Sequence, residues 1–361
     1  MRRGLGLRLA VPAQESTNLS NWMTNSGTWR EGDVLVSRDG LNVTQPGENN
    51  AQPAARPQRH HHEHQDRPHP EEGETTVSSL QDLESVQVLG RGSSGLVQKV
   101  QHNRTGRLFA VKEIQMNVQE QVRTQIMREL RILYKSYNRN VVQCFNAFHS
   151  NGVISIVLEY MDGGSLADVV RAVRRIPELY IAVITRQVLH GLWYLHKEVH
   201  IIHRDIKPSN LLVNLQGDVK ISDFGVSVVL ANSMGQCASF VGTCTYMSPE
   251  RINGGTYGYD CDIWSLGLSL MECALGRFPY QPPGNELGWV NFFDLLHTIV
   301  EQPPPTLPED QFSPEFCDFI TACLRKNPKE RPSAGELLSH PFLKKYEGQN
   351  VNISRLLQTS A

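Results

Sequence analysis

Apolar and polar positions change rhythm near residue 80 of this 361-residue chain. Downstream, residues 83–90 and 96–100 form strand-length apolar runs, and the turn His102-Asn103-Arg104-Thr105-Gly106 closes the second. Together they predict a hairpin. Residues 109–114 read as a third strand. From Glu120 to Tyr134 the period lengthens, with Val122, Ile126, Leu130 and Leu133 three or four residues apart on one helical stripe. Residues 141–148 and 154–159 follow as strands, and the glycines of Asp162-Gly163-Gly164 suit a hinge. Ser165 is a good helix N-cap, with Asp168 in the first turn. Residues 178–197 form a long apolar helix, 211–213 and 219–221 a short hairpin around Gln216-Gly217, and 260–267 open another buried helix.

Strands with one helix, followed by a mainly helical half, fit a single bilobed α+β domain over 80–346, with a tail at 347–361. Residues 1–44 read as a separate N-terminal regulatory and docking segment. Between them, residues 45–76 lack apolar periodicity and read as a disordered linker. Its cluster His60, His61, His62 and His64 reads as a solvated polar tract, since no fold fixes a metal geometry there.

Composition narrows the classes. The formal net charge is -2, and residues 1–76 hold 8 Lys+Arg and 10 Asp+Glu of the chain's 35 and 37, leaving 27 of each for the remainder. A basic nucleic-acid footprint is therefore not expected. Seven cysteines at irregular spacing, with no Cys-x-x-Cys pair and no leader-like segment, imply reduced thiols and a cytoplasmic location, extending to the nucleus. No run approaches the ~18 apolar residues of a membrane span, so no membrane partner is expected.

The chemistry is concentrated between His203 and Glu250. His203-Arg204-Asp205-Ile206-Lys207-Pro208-Ser209-Asn210 is followed by Asp223-Phe224-Gly225. Phosphoryl transfer from Mg-ATP needs a carboxylate to orient the attacking hydroxyl, and an amide oxygen and second carboxylate to hold the metal. Asp205 is the candidate base, and Asn210 and Asp223 are the candidate Mg2+ ligands. Upstream, Gly90-Arg91-Gly92-Ser93-Ser94-Gly95 fits either a dinucleotide fingerprint or a phosphate lid. Strand formers after Gly95, where a dinucleotide loop would enter a helix, favour the lid.

These motifs, in this order, resemble those of eukaryotic protein kinases over about 270 residues, a similarity carried chiefly by the eight-residue loop motif. The resemblance implies a small antiparallel N-lobe sheet with a helix, a mainly helical C lobe, and ATP with Mg2+ between them. It assigns Lys112 to the phosphates, Glu129 as its partner, and Lys207 to the transferring phosphate, as in Ser/Thr-directed kinases. Leu158 would gate the back pocket, Glu159 and Met161 would offer main-chain groups to adenine, and Ser165 and Asp168 would lie toward the ribose. Leu89, Arg91, Ser93, Ser94, Val97 and Ala110 complete the implied nucleotide set. Asp262 would reach back to the catalytic loop, and Arg331 would pair with Glu250.

The closer resemblance is to MAP kinase kinases. Ser233 and Ser239 stand six apart before Phe240-Val241-Gly242-Thr243, similar to the plant-type phosphorylated pair, and Tyr246-Met247-Ser248-Pro249-Glu250 shares that group's serine. The N-terminal Arg2, Arg3, Leu5, Leu7 and Leu9 resemble a docking peptide for a downstream MAP kinase, its leucines on one side of an extended chain. A transit peptide is the rival reading, and Glu15 speaks against it. The implied activity is dual-specificity phosphorylation of a MAP kinase's Thr-x-Tyr loop, switched on at Ser233 and Ser239 by an upstream MAP kinase kinase kinase. Residues 351–357 form a short apolar stretch that would suit docking of that activator. A germinal-centre-type Ser/Thr kinase and a pseudokinase scaffold are the alternatives.

Overall fold

The computed structural model describes residues 28–43, 77–92, 95–117, 119–223, 245–282, 289, 291–349 and 351–358. The 45–76 linker thus lies outside the described residues. Ahead of it stands an element that the sequence reading did not anticipate: β1 (Trp29–Glu31), β2 (Val34–Ser37) and β3 (Gly40–Val43), a three-stranded antiparallel meander. Its second hairpin pairs Ser37 with Gly40 across Arg38-Asp39, and Gly40 takes a φ of +118° at the turn.

The N lobe proper contains β4 (Leu83–Gly92), β5 (Gly95–His102), β6 (Leu108–Gln115), α1 (Glu120–Lys135), β7 (Cys144–Ser150) and β8 (Val153–Glu159). The five strands form one antiparallel sheet in the order β4-β5-β6-β8-β7. Helix α1 buries Val122, Ile126, Met127, Leu130 and Leu133, the expected stripe plus Met127. The meander covers part of this apolar surface: Trp29, Val34, Val36 and Leu41 are buried in the same cluster as Ile126, Met127 and Leu130. Full burial of such a side chain contributes about 1.5–3 kcal/mol. Polar contacts fix the seating. Trp29 Nε1 donates to His149 Nε2 at 2.6 Å, Asp33 pairs with Arg131 at 2.6 Å, and the Arg123 guanidinium lies over the Trp29 ring. Asn146 on β7 accepts from Leu41 N–H through Oδ1 and donates to Val77 O through Nδ2, both at 2.9 Å.

The C lobe follows with α2 (Leu166–Val173), α3 (Glu178–Lys197), β9 (Leu211–Val213), β10 (Val219–Ile221), α4 (Pro249–Ile252) and α5 (Asp260–Leu275). It closes with α6 (Phe292–Glu301), α7 (Pro314–Cys323), α8 (Ala334–Leu337), α9 (Pro341–Lys345) and α10 (Ser354–Gln358). Helix α5 is buried almost all round, as suits the axis of the lobe. Gly267 lets α7 approach it, since a Cβ there would lie 2.8 Å from Cys323 Cβ. At the other end of the chain, Ile353 and Leu356 are buried against the C lobe. The C-terminal apolar stretch, expected to be available for docking, is thus already packed on its own domain.

Candidate active site

The catalytic loop is held from below by Asp262 in the first turn of α5. Its carboxylate accepts from the backbone N–H of His203 and of Arg204, each at 2.8 Å, and lies 2.8 Å from His196 Nε2. Arg204 has a φ of +71°, a left-handed backbone that such anchoring sustains. Burial opposes the Asp262 charge, but His196 and the donated N–H groups outweigh it and hold the carboxyl below its usual range. His203 Nε2, 2.9 Å from Ser222 O, ties the loop to the residue preceding Asp223. The Arg331 guanidinium forks onto both Glu250 oxygens at 2.7 Å, as the resemblance implied.

Asp205 is buried, and its Oδ2 lies 3.0 Å from Lys207 Nζ and accepts from Asn210 Nδ2 at 2.9 Å. Asn210 Nδ2 also donates to Asp205 O. With the amide nitrogen so directed, Oδ1 is the atom left to Asn210 for a metal. Ser222 binds Asn210 O through both its N–H and Oγ, so the loop and Asp223 form one unit. Asp223 itself has a φ of +60° and sits 2.6 Å from Lys112 Nζ. Burial works against its charge, yet Lys112 more than compensates and keeps the carboxyl below the ordinary range. A charged carboxylate and an amide oxygen fit a hard divalent cation.

One expected contact differs. Lys112 is engaged by Asp223, whereas Glu129 Oε1 accepts from Gln125 Nε2 at 2.8 Å and Glu129 Oε2 is buried without a hydrogen-bond partner. Burial pushes the Glu129 carboxyl up to about 7, against smaller opposing contributions from Gln125, Arg204 and Lys112. The helix carries Glu129 on the expected side but leaves it out of hydrogen-bond contact with Lys112, because α1's seating is a tertiary matter.

The glycine loop is a strand-to-strand hairpin. Gly92 pairs with Gly95 in the β4–β5 ladder, which fits a phosphate lid and not a loop entering a helix. Gly95, at φ +120°, tolerates no side chain: a Cβ would lie 1.9 Å from Glu113 O. Val97 stands opposite Lys112, and Ala110 opposite Leu158. Leu158 shares a small cavity with Lys112, Ile114, Leu133, Val142, Ile156 and Asp223. Leu89 and Arg91 are exposed, and Met161 is buried. Glu159 N–H donates to Gln143 O at 2.9 Å, so any adenine contact of Glu159 falls to its carbonyl. Ser165 and Asp168 form a capping box, and Arg171 takes the other Asp168 oxygen at 2.9 Å. That carboxylate is therefore already used in starting α2, which weakens its assignment to the ribose. Ser93, Ser94, Ser233, Ser239, Arg2, Arg3, Leu5, Leu7 and Leu9 lie outside the described residues.

Sequence reasoning overlooked His196 and the side-chain pairing of Glu159 with Lys220. Neither has a local signal, since the partners lie 66 and 61 residues apart.

The bilobed fold, the glycine hairpin and the Asp205–Asn210–Asp223 unit define a protein kinase, and the family profile described as a protein kinase domain matches residues 83–343. Relatives refine the class. The chain is 52% identical over 347 residues to the mitogen-activated protein kinase kinase SIPKK of Nicotiana tabacum, covering 96% of this chain and 93% of that protein. It is 51% identical over 361 residues to mitogen-activated protein kinase kinase 1c of Physcomitrium patens, covering 99% of each. The Drosophila melanogaster dual specificity mitogen-activated protein kinase kinase dSOR1 is 45% identical over 295 residues, covering 76% of this chain and 74% of that protein. The chain belongs to the mitogen-activated protein kinase kinases. It is a dual-specificity protein kinase of the MAP kinase cascade, using ATP and a divalent metal.

Proposed function

We propose that Asp205 orients and deprotonates the Thr or Tyr hydroxyl of a MAP kinase activation loop, with Lys207 neutralising charge on the transferring phosphoryl group. Asn210 Oδ1 and Asp223 hold Mg2+, and Lys112 steadies the phosphates once it leaves Asp223. Bound magnesium supplies charge neutralisation that these side chains alone lack. The observation carrying this reading is the shared Asp205 Oδ2, which meets both Lys207 and Asn210 within 3.0 Å. That contact supports reading Asp205, Lys207 and Asn210 as one unit.

Regulation completes the proposal. An upstream MAP kinase kinase kinase phosphorylates Ser233 and Ser239, and Arg204, whose Nε is buried without a hydrogen-bond partner, receives a phosphate. The Arg2, Arg3, Leu5, Leu7 and Leu9 peptide holds the downstream MAP kinase. The enzyme works in the cytoplasm, with a nuclear fraction; the free thiols of Cys144, Cys261, Cys273, Cys317 and Cys323 are compatible with a reducing compartment. Among the described residues no helix is long and apolar enough to cross a membrane.

The test is Asp205→Asn beside Asp223→Ala in the activated protein. Each should lower turnover on a MAP kinase by several orders of magnitude while unfolding remains cooperative. Near-normal turnover in either variant would overturn the assignment.

A further inference from the structure

The nucleotide of a kinase spans two regions that belong to different parts of this chain, the hinge after β8 and Asp223 after β10. One ion pair joins them. Lys220 Nζ on β10 meets Glu159 Oε1 at 2.6 Å and Oε2 at 2.8 Å, and Gln143 N–H donates to the same carboxylate at 3.3 Å. Lys220 stands three residues before Asp223, and Glu159 is the last residue of β8. With side chains only 13% and 23% exposed, the pair is shielded enough to matter more than a surface bridge.

The pair is not needed to build either strand. β10 is already bonded to β9, and its Ile221 exchanges backbone hydrogen bonds with Asn140 and Val142 at 2.9 and 3.0 Å. β8 is held between β6 and β7. What the pair adds is a side-chain link between the adenine-facing end of β8 and the strand that leads into Asp223. The hinge residues that follow are bonded to β9 and its turn, Asp162 Oδ1 accepting from Leu215 N–H at 2.8 Å and Gly163 N–H donating to Val213 O at 3.0 Å, whereas the Glu159–Lys220 pair links the end of β8 itself to β10. A strut that fixes the spacing of two half-sites pre-organises them for a ligand that bridges both, and leaves alone a ligand that occupies one.

We propose that Glu159 and Lys220 are positioning residues that set the distance between the adenine-binding hinge and the metal-binding Asp223, and so select for the intact metal–nucleoside triphosphate. This rests on the reading that Asp223 holds the metal and the hinge takes adenine. Neither side chain is assigned to touch the reacting atoms.

The experiment is titration calorimetry on the full chain with adenosine, which reaches only the hinge, and with ATP plus Mg2+, which reaches both. In wild type, Mg2+ should tighten ATP binding, and Asp223→Ala should abolish that gain; failure here sinks the underlying reading and not the strut alone. Given that gain, Glu159→Gln and Lys220→Met should each weaken Mg-ATP binding about three- to tenfold, the scale of a partly buried ion pair, with adenosine changed less than about twofold. The double variant should be no weaker than the worse single, because the two act through one contact. Equal losses for adenosine and Mg-ATP would mean local hinge damage. Unchanged Mg-ATP affinity, or losses that add in the double variant, would also overturn the strut.

Discussion

Lys112 Nζ lies 2.6 Å from Asp223 Oδ1, so the lysine expected to hold phosphates neutralises the carboxylate expected to hold the metal. Glu129 is left to Gln125, bonded to it through one oxygen, and burial pushes its carboxyl up to about 7. A carboxyl near neutrality in its titration is poised.

Stability should therefore fall with rising pH in a defined window. The folded Glu129 carboxyl titrates near 7, above the ordinary value of 4.5, so between these values the native state binds the extra proton. The sign follows: this contribution is full below about 4.5 and is lost as pH rises through 7, on the order of 3 kcal/mol if α1 stays in place. Glu129→Gln removes the titration. Denaturant unfolding at pH 5 and pH 8 should show wild type losing stability relative to the variant. Parallel curves for the two proteins would show that Glu129 ionises freely, through movement of α1 toward Lys112.

The meander should be integral to the N lobe. Trp29 is buried beneath the Arg123 guanidinium and donates to buried His149, so Trp29→Ala should cost about 3–5 kcal/mol. Trp29→Phe keeps most of the ring surface but removes the donor, at about 1–3 kcal/mol. Chemical denaturation measures both, and hydrogen exchange should quicken along α1. Losses within about 0.5 kcal/mol would instead place Trp29 among indifferent surface positions.

How far the sequence revealed this molecule depended on range. The α3 span and the β9–β10 hairpin were legible residue by residue, because a long apolar period and a Gln216-Gly217 turn are local signals. That Asp205, Asn210 and Asp223 lie close together was legible from the loop motif and the hairpin after it, and the structure joins them through Asn210 Nδ2 to Asp205 Oδ2 and Ser222 N–H to Asn210 O. The meander had a cue in Gly32-Asp33, the two-residue loop between paired Glu31 and Val34, but strands of three or four residues are too short to show alternation clearly. Their burial depends on α1, far along the chain. Glu129 illustrates the opposite limit: periodicity gives its face on the helix but not the seating of the helix, and in this structure it bonds Gln125 where Lys112 was expected. Asp168 shows that a polar residue at a cleft-side helix start can be fully engaged by its own cap.

Activation should be mimicked by charge. A phosphate brings about -1.5 to -2 charges, and a glutamate about -1, toward an Arg204 whose Nε is buried and unbonded. Ser233→Glu with Ser239→Glu should raise basal activity toward a MAP kinase, and Arg204→Met should remove most of that rise. Equal activity of double-Glu, double-Ala and wild-type proteins after treatment with an upstream kinase would exclude the pair as the switch.

Partner choice should reside in the N-terminal peptide. Arg2, Arg3, Leu5, Leu7 and Leu9 precede the meander by roughly twenty residues, and on the proposed reading a MAP kinase held by them is tethered to the enzyme. Tethering raises the effective substrate concentration, and the chemical step is unaffected. Deleting residues 1–12 should then raise KM for the whole MAP kinase, with kcat little changed, and leave a generic peptide substrate as it was. The arginine contribution should fade with added salt, because exposed charges are screened over about 8–10 Å at 0.1–0.15 M. The leucine contribution should persist, since apolar burial carries no such screening. An unchanged KM at sub-saturating MAP kinase, together with relocation of the truncated protein from an organelle to the cytosol, would replace docking with targeting.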